Sequence, residues 1–478
     1  MKLKAFNHIT SIISLSIMVS SCGFQSYLPQ PIEPAKVVAK LEQRANTDSD
    51  FQAYLIAQAF PADQLPISAW GENELTLSAL FFHPDLNLAR AQWRAAQAAQ
   101  ITAAQRPEIG IKGNADNHSQ ATDKSPWTYQ FGIDIPVITA GKREARIAQA
   151  ASLSEAARIE IAQAAWQVHS RVAKSLLAYQ YALAQLATLN NEVDLRTSIV
   201  DMLVKRLDAG MASNIEVSNA RIALQKTEQT YTTEAGRIDT LRAALANDAG
   251  LSLSKFKLLI IKPFGQTEPV TMDALQYEAL LNRLDIRASL ARYEAAEAKL
   301  RLEIAKQYPD MTFSPSKTLD QGDNIWSLGF SSLLTLINKN RGLIAEANSL
   351  REVQVAQFEA LQAKVIGDLN QAKASYQSAI ASRAKAQTLL ENQQKRTEQT
   401  ERQFNAGLAD RLAFTTTLLE NIIAKQSVLN TTYLTQVAKL NLEDVLQRPL
   451  DNRLTTPSDI TSFNADSTSN KPTRTTSP

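Results

Sequence analysis

The sequence predicts a mainly α chain with a small β part, made of two tandem copies of one helix–strand–strand–helix unit. Three observations predict it. A set of landmarks recurs at an almost constant offset of 197 to 200 residues. One stretch of 67 residues, 142–208, holds neither Gly nor Pro. Between the helical stretches lie short segments whose apolar residues alternate with polar ones. Self-similarity at a fixed period marks units that stack on one another, so it outranks any single local propensity.

Trp93-Arg94-Ala95-Ala96-Gln97-Ala98 returns as Tyr293-Glu294-Ala295-Ala296-Glu297-Ala298, an offset of 200. Both helices run into similar stops, Gln105-Arg106-Pro107-Glu108 and Gln307-Tyr308-Pro309-Asp310. Further on, Gly132 maps to Gly329, Lys142 to Lys339, Ile147 to Ile344 and Gly210 to Gly407, an offset of 197. In that register the segments 142–210 and 339–407 have equal length, 69 residues each.

Each copy opens with a helix (84–106, 283–308), ended by Pro107 or Pro309, since a prolyl ring cannot continue a helix. A short strand follows (108–115, 310–317), then a polar loop and a second strand (126–135, 324–334). From Trp127 to Ile135 every odd residue is apolar and every even one polar or Gly, the period of a half-buried sheet. Trp326-Ser327-Leu328-Gly329-Phe330-Ser331 repeats that pattern. The very long helices (142–208, 339–405) are rich in Ala, Gln, Glu and Leu; the second tolerates Gly342 and Gly367 at about 1 kcal/mol each. At ~1.5 Å per residue such a helix spans ~100 Å, and the two shorter helices of a copy together run nearly as far. A Gly-marked turn (Gly210, Gly407) leads into the last helix (212–249, 409–447). The first copy then covers 71–250, a linker 251–270, and the second copy 271–449.

Composition narrows the function. Fifty basic against 48 acidic residues give a net charge of +2, without the basic excess of a nucleic-acid binder. One cysteine excludes internal disulfides and a thiolate zinc cage, and the four histidines are scattered. No catalytic motif, metal site or cofactor site is legible, so no enzymatic role is expected.

Residues 1–21 read as a secretory signal: Lys2 and Lys4, a short apolar run from Ile9 to Val19, then Ser20-Ser21-Cys22. This resembles the bacterial lipobox, which implies lipidation of Cys22; ordinary cleavage leaving a free thiol is the alternative. Gly23 after the cysteine implies outer-membrane sorting, by the same resemblance. Residues 22–70, with five prolines from Pro29 to Pro66, read as an extended strap with a short helical piece near 37–59. The tail 450–478, rich in Thr, Ser, Asn and Pro, reads as disordered.

No run of 18 apolar residues exists, so a closed β-barrel is the spanning option left. Two hairpins per chain cannot close one; three chains supply twelve strands. Trp127, Tyr129, Phe131 and Ile133, with Trp326, Leu328 and Phe330, are then the lipid-facing residues, although a soluble capping hairpin has the same period.

In the order of these landmarks the chain resembles the TolC-like outer-membrane efflux protein family, in particular its lipidated, NodT-type branch. The cues are Cys22 followed by Tyr27-x-Pro29-x-Pro31, the helix starts His83-Pro84-Asp85-Leu86 and Arg283-Leu284-Asp285-Ile286, Ile135-Pro136 with Gly141-Lys142-Arg143, and the turns Arg206–Gly210 and Arg402–Leu408. The resemblance covers about residues 22–450. It implies a homotrimer, with a twelve-stranded outer-membrane β-barrel on a periplasmic α-barrel. A periplasmic adaptor and an inner-membrane efflux pump are the implied partners, with outer-membrane lipid. It also implies a tip that gates the duct and docks the adaptor, at Gly210, Glu216, Gly407, Leu408 and Asp410. The family's acidic tip positions fall on Ala413 and Thr416, so the gate is expected to rest on helix packing or on Glu216 and Asp410. A structural or adaptor lipoprotein without a pore is the competing class; it leaves the doubled hairpins unexplained.

Overall fold

The computed structural model describes residues 27–119, 126–263, 282–320, 322–333 and 338–450. It divides into two units, residues 1–44 and 45–478. In the first, helix α1 (Pro34–Gln43) starts on a proline, whose missing N–H costs nothing at that position, and buries no residue.

The second unit holds both copies. It opens with α2 (Ser49–Ala57), capped by Asp48, whose carboxylate accepts the N–H groups of Asp50 and Phe51. Helix α3 (Glu72–Phe82) and helix α4 (Pro84–Ala104) follow, then strands β1 (Gly110–Asn117) and β2 (Trp127–Val137). The long helix α5 (Lys142–Asp208) and helix α6 (Asn214–Asp248) form the first helical hairpin, with a short turn of helix α7 (Leu253–Phe256) after it. The second copy repeats the order with α8 (Leu284–Ala305), β3 (Met311–Asp320), β4 (Asp323–Ser332), α9 (Arg341–Asn405) and α10 (Arg411–Leu446). Among the described residues no helix is long and apolar enough to cross a membrane.

The four strands form one antiparallel sheet in the order β1-β2-β3-β4. The central pairing, β2 with β3, joins the two copies, with Tyr129 opposite Leu319 and Ile135 opposite Phe313. The copies also meet along α5. Ile159, Ala162 and Trp166 pack on Leu284 and Ala288, and Ala173 and Leu177 pack on Leu440. Small residues at these seams let the backbones approach closely.

Three expectations need correction. Residues 45–70 are not an extended strap. Phe51, Leu55 and Trp70 are fully buried in the main core with Leu75, Val168, Val172 and Leu245, because their aromatic and aliphatic side chains cover the open side of α5 and α6. The helical piece is two helices, α1 and α2. The start of the supposed linker is also core, since Leu251 and Phe256 are buried and Ile261 bridges to Trp70. The long helices are 67 and 65 residues, not equal. Gly141 and Asn340, both left-handed, stand at the two helix starts, an offset of 199, and Lys142 therefore corresponds to Arg341 rather than Lys339. The signal, Cys22, the tail 451–478 and residues 264–281 lie outside the described residues.

Equivalent elements are buried unequally. Helix α5, with α4, α6, α8 and α10 against it, buries 19 residues, whereas α9 buries 8. Helix α8 buries 11 of 22 residues and its counterpart α4 only 3 of 21.

Candidate functional site

Two regions are built from residues of both copies: the sheet and the helix tips. Strand geometry sends alternate side chains to opposite faces, and the registers align all four strands. One face carries Trp127, Tyr129, Phe131, Ile133, Ile135 and Val137 of β2, beside Met311, Phe313 and Leu319 of β3 and Trp326, Leu328 and Phe330 of β4. All twelve are exposed, Trp326, Leu328 and Phe330 at 73–77%. Trp127 stacks on Tyr129 near the loop end, with ring centroids 6.0 Å apart. The charge on this face, Lys317, lies over the Trp326 ring, 5.3 Å from its centroid.

The opposite face is polar and knitted together. Lys112 Nζ meets Asp134 Oδ2 at 2.7 Å, and Ser314 Oγ donates to Asp134 Oδ1 at 2.6 Å. The Thr128 hydroxyl donates to the Asp320 carboxylate, and His118 Nε2 lies 2.9 Å from Thr128 Oγ1. Ile325 is an apolar exception there.

Below the sheet, the junction with the helices is held by ions and carbonyls. Lys142 is 8% exposed; its Nζ donates to the Tyr308 carbonyl at 2.5 Å and to Asp310 Oδ1 at 2.7 Å. Arg143 and Arg146 donate to the carbonyls of Ala104, Ala103 and Gln105, which end α4 without helical partners. In the second copy Glu303, 2% exposed, sits between Lys299 Nζ (2.8 Å) and Lys306 Nζ (2.9 Å) and accepts from Asn340 Nδ2 at 3.1 Å. Burial alone would raise its carboxyl; the donated hydrogen bonds of the two lysines and Asn340 outweigh that and bring it down to about 2.

At the far end of the helices both tips use one turn. Gly210 (φ 72°) and Gly407 (φ 75°) take the left-handed conformation. Each turn closes by the same pair of bonds. Gly210 N donates to Leu207 O at 2.9 Å and Met211 N to Arg206 O at 2.7 Å; Gly407 N donates to Phe404 O at 3.0 Å and Leu408 N to Gln403 O at 2.8 Å. This is the left-handed helix stop in which glycine avoids a Cβ penalty. Met211, Ile215 and Leu408 stand 72–81% exposed around the tips.

The two acids predicted at the tips do different work. Glu216 closes a capping box with Ser213: its Oε2 accepts the Ser213 N–H at 2.7 Å, and Ser213 Oγ accepts the Glu216 N–H at 3.2 Å. Asp410 caps α10 through the Ala413 N–H (2.7 Å) and also takes Arg206 Nη2 at 2.6 Å, tying the second hairpin to the first. The Ala413 N–H first, and then Arg206, hold the Asp410 carboxyl below its ordinary value. Phe404 and Phe414 stack 5.4 Å apart beside it.

The structure thus gathers Trp127, Tyr129, Phe131, Ile133, Trp326, Leu328 and Phe330 on one face, and Gly210, Glu216, Gly407, Leu408 and Asp410 at the tips. Sequence reading missed Arg206 as the partner of Asp410, and Lys142 with Asp310, although Arg206 and Lys142 stand inside motifs it quoted. Among the described residues no group of three or more His, Cys, Asp or Glu could hold a metal ion.

The chain is 26% identical over 270 residues to the cobalt-zinc-cadmium resistance protein CzcC of Cupriavidus metallidurans, a match spanning 56% of this chain and 64% of that protein. The chain therefore covers less than two thirds of that relative's length. Its fold is similar to that of the outer membrane protein VceC of Vibrio cholerae, with a TM-score of 0.65 at 20% identity, over 80% of this chain and 97% of that one. It is similar as well to the MtrE outer membrane channel of Neisseria gonorrhoeae in its open state, with a TM-score of 0.63 at 15% identity, over 80% and 91%. The family model described as outer membrane efflux protein matches twice, over residues 77–251 and 275–446. Each match falls on one copy of the helix–strand–strand–helix unit, and on that doubled match the chain belongs to the outer membrane efflux protein family.

Proposed function

We propose that three copies of this chain form a passive duct through the outer membrane and periplasm, which an inner-membrane pump feeds through a periplasmic adaptor. The observation that carries this is the sheet: four strands, one exposed apolar face, one polar face, and two edges, β1 and β4, with no strand beside them among the described residues. An open edge is a template for another strand, and a bilayer tolerates a sheet only when it is closed. Joining β4 of one copy to β1 of the next, three times, gives twelve strands. The apolar face then meets lipid, with Trp127, Tyr129 and Trp326 toward the distal interface, and the polar face lines the lumen. The eleven residues of β2, at ~3.3 Å each and tilted by ~45°, span ~25 Å, the height of a bilayer's apolar band.

The helices follow the same logic. The sparse burial of α4 and α9 supports a neighbour that a single chain lacks, and a ring of hairpins supplies it. At the tips, the exposed Met211, Ile215 and Leu408 offer an apolar surface to the adaptor, and the Arg206–Asp410 tie holds the two hairpins together as a gate. Cys22 is read as the lipid anchor of the mature chain. No catalytic step is assigned, because the pump supplies the energy; selectivity follows from duct diameter and wall charge. Full-length protein reconstituted in a planar bilayer tests this: discrete conductance steps are expected, and membrane binding without conductance would contradict it.

A further inference from the structure

The entry into each long helix is one structure used twice. In the first copy Lys142 N donates to Thr139 O at 3.3 Å and Ala145 N to Gly141 O at 2.9 Å; in the second, Arg341 N donates to Asn338 O and Ile344 N to Asn340 O, both at 3.0 Å. Ala140 and Gly141 have positive φ, and so do Lys339 and Asn340. The matched backbone puts Arg341 where Lys142 stands.

In the first copy that position reaches across to the other. Lys142 binds Tyr308 O and Asp310, and Thr139 adds its N–H to Asp310 Oδ1 (2.9 Å) and its hydroxyl to Pro309 O (2.7 Å). The segment that receives them, Tyr308-Pro309-Asp310, has its own counterpart, Arg106-Pro107-Glu108, again between the first helix and the first strand of its copy. A second donor and a second acceptor are therefore present. Both Arg341 and Glu108 are exposed, and neither makes an ion pair among the described residues. They flank opposite edges of the sheet: Arg341 follows β4 and Glu108 precedes β1.

We propose that Arg341 of one copy binds the Arg106 carbonyl and the Glu108 carboxylate of the partner subunit, repeating between chains the staple that Lys142 makes within one. A guanidinium suits the position, because its fork can serve a carboxylate and a carbonyl at once. Donor and acceptor lie on different edges, so the contact is head-to-tail, and every copy is satisfied only when the ring closes. This rests on the ring of copies proposed above and names the residues that close it beneath the barrel.

The test uses full-length protein in outer membranes carrying Glu108→Cys and Arg341→Cys together, treated with a short bismaleimide and resolved on a denaturing gel. Dimer and trimer bands are expected from the double variant and monomer from each single variant, which also controls for Cys22. The pair Lys142→Cys and Asp310→Cys should crosslink inside one chain and stay at monomer mass. Separately, Glu108→Arg should lower the trimer fraction surviving mild detergent several-fold, and adding Arg341→Glu should restore it. Monomer alone from the double cysteine variant, while the wild-type protein still conducts as a trimer, would overturn the staple and leave the duct standing. Wild-type protein that is neither trimeric nor conducting would overturn the duct itself.

Discussion

Single carboxylates hold the junction below the sheet and tie the two tips together. Glu303 is held at about 2, well below an ordinary glutamate, so its ionised form stabilises the fold above the unfolded value of roughly 4.3. That contribution is lost as pH falls through about 2. Glu303→Gln should therefore cost roughly 2–3 kcal/mol in denaturant unfolding at neutral pH, with the difference from wild type vanishing in strong acid. Equal stability at neutral pH would remove Glu303 from the junction's energetics. Asp410 gives a functional readout of the same kind. Its carboxyl lies below the ordinary aspartate value, so the tie to Arg206 persists through mild acid and is lost only as pH drops beneath that range. Asp410→Asn keeps an oxygen for the Ala413 N–H but removes the charge. It should raise basal conductance at neutral pH toward the level wild type reaches in acid; unchanged conductance would separate this pair from gating. The pair's two side chains are 35% and 54% exposed, so it contributes less than about 1 kcal/mol per chain, small enough to be opened by a docking partner. The spacing of Lys299 and Lys306 about Glu303 is that of neighbours on one helix face, whereas the pairing of Asp410 was not legible in the sequence. Arg206 and Asp410 are 204 residues apart, and only the fold brings them within reach. The turn glycines were legible, since a helix stop of this geometry needs a left-handed residue whatever surrounds it.

Among elements, the strands read most faithfully. Alternation from Trp127 to Ile135 identified the apolar face residue by residue, because period 2 follows from backbone geometry alone. The register between strands was not legible, and with it the polar network of Lys112, Asp134 and Ser314 that joins the copies. The offset of 197 at Lys142 failed for a related reason: two lysines looked equivalent, while the backbone equates Gly141 with Asn340. Residues 45–70 misled through their prolines, which mask the large side chains of Phe51, Leu55 and Trp70 that pack on the long helices. The two faces of the sheet predict opposite responses to one substitution. With the apolar face toward lipid, as proposed, Phe131→Arg would place a charge in the lipid band and should cost about 2–4 kcal/mol, lowering membrane-inserted protein. Gln130→Arg, one residue away on the polar face, should insert normally and change ion selectivity instead. Equal losses from both would show that the faces do not separate lipid from lumen.

At the scale of the molecule, the two copies of the unit are buried unequally. Helix α5 is enclosed and α9 is not; α8 is half buried and α4 nearly bare. Within one chain the first copy's long helix has the second copy to lean on, and the second copy has nothing equivalent. Repetition of that same contact between chains, as proposed above, would remove the difference, pair the open edges β1 and β4, and give Arg341 its carboxylate. The sequence repeat was the most informative feature for the fold, since each copy coincides with one match to the family. The mass of the intact complex in mild detergent, measured by native mass spectrometry, tests the proposed ring most directly. Three chains, and so twelve strands, are expected; a monomer, or a two-chain species that still conducts, would contradict the trimeric duct.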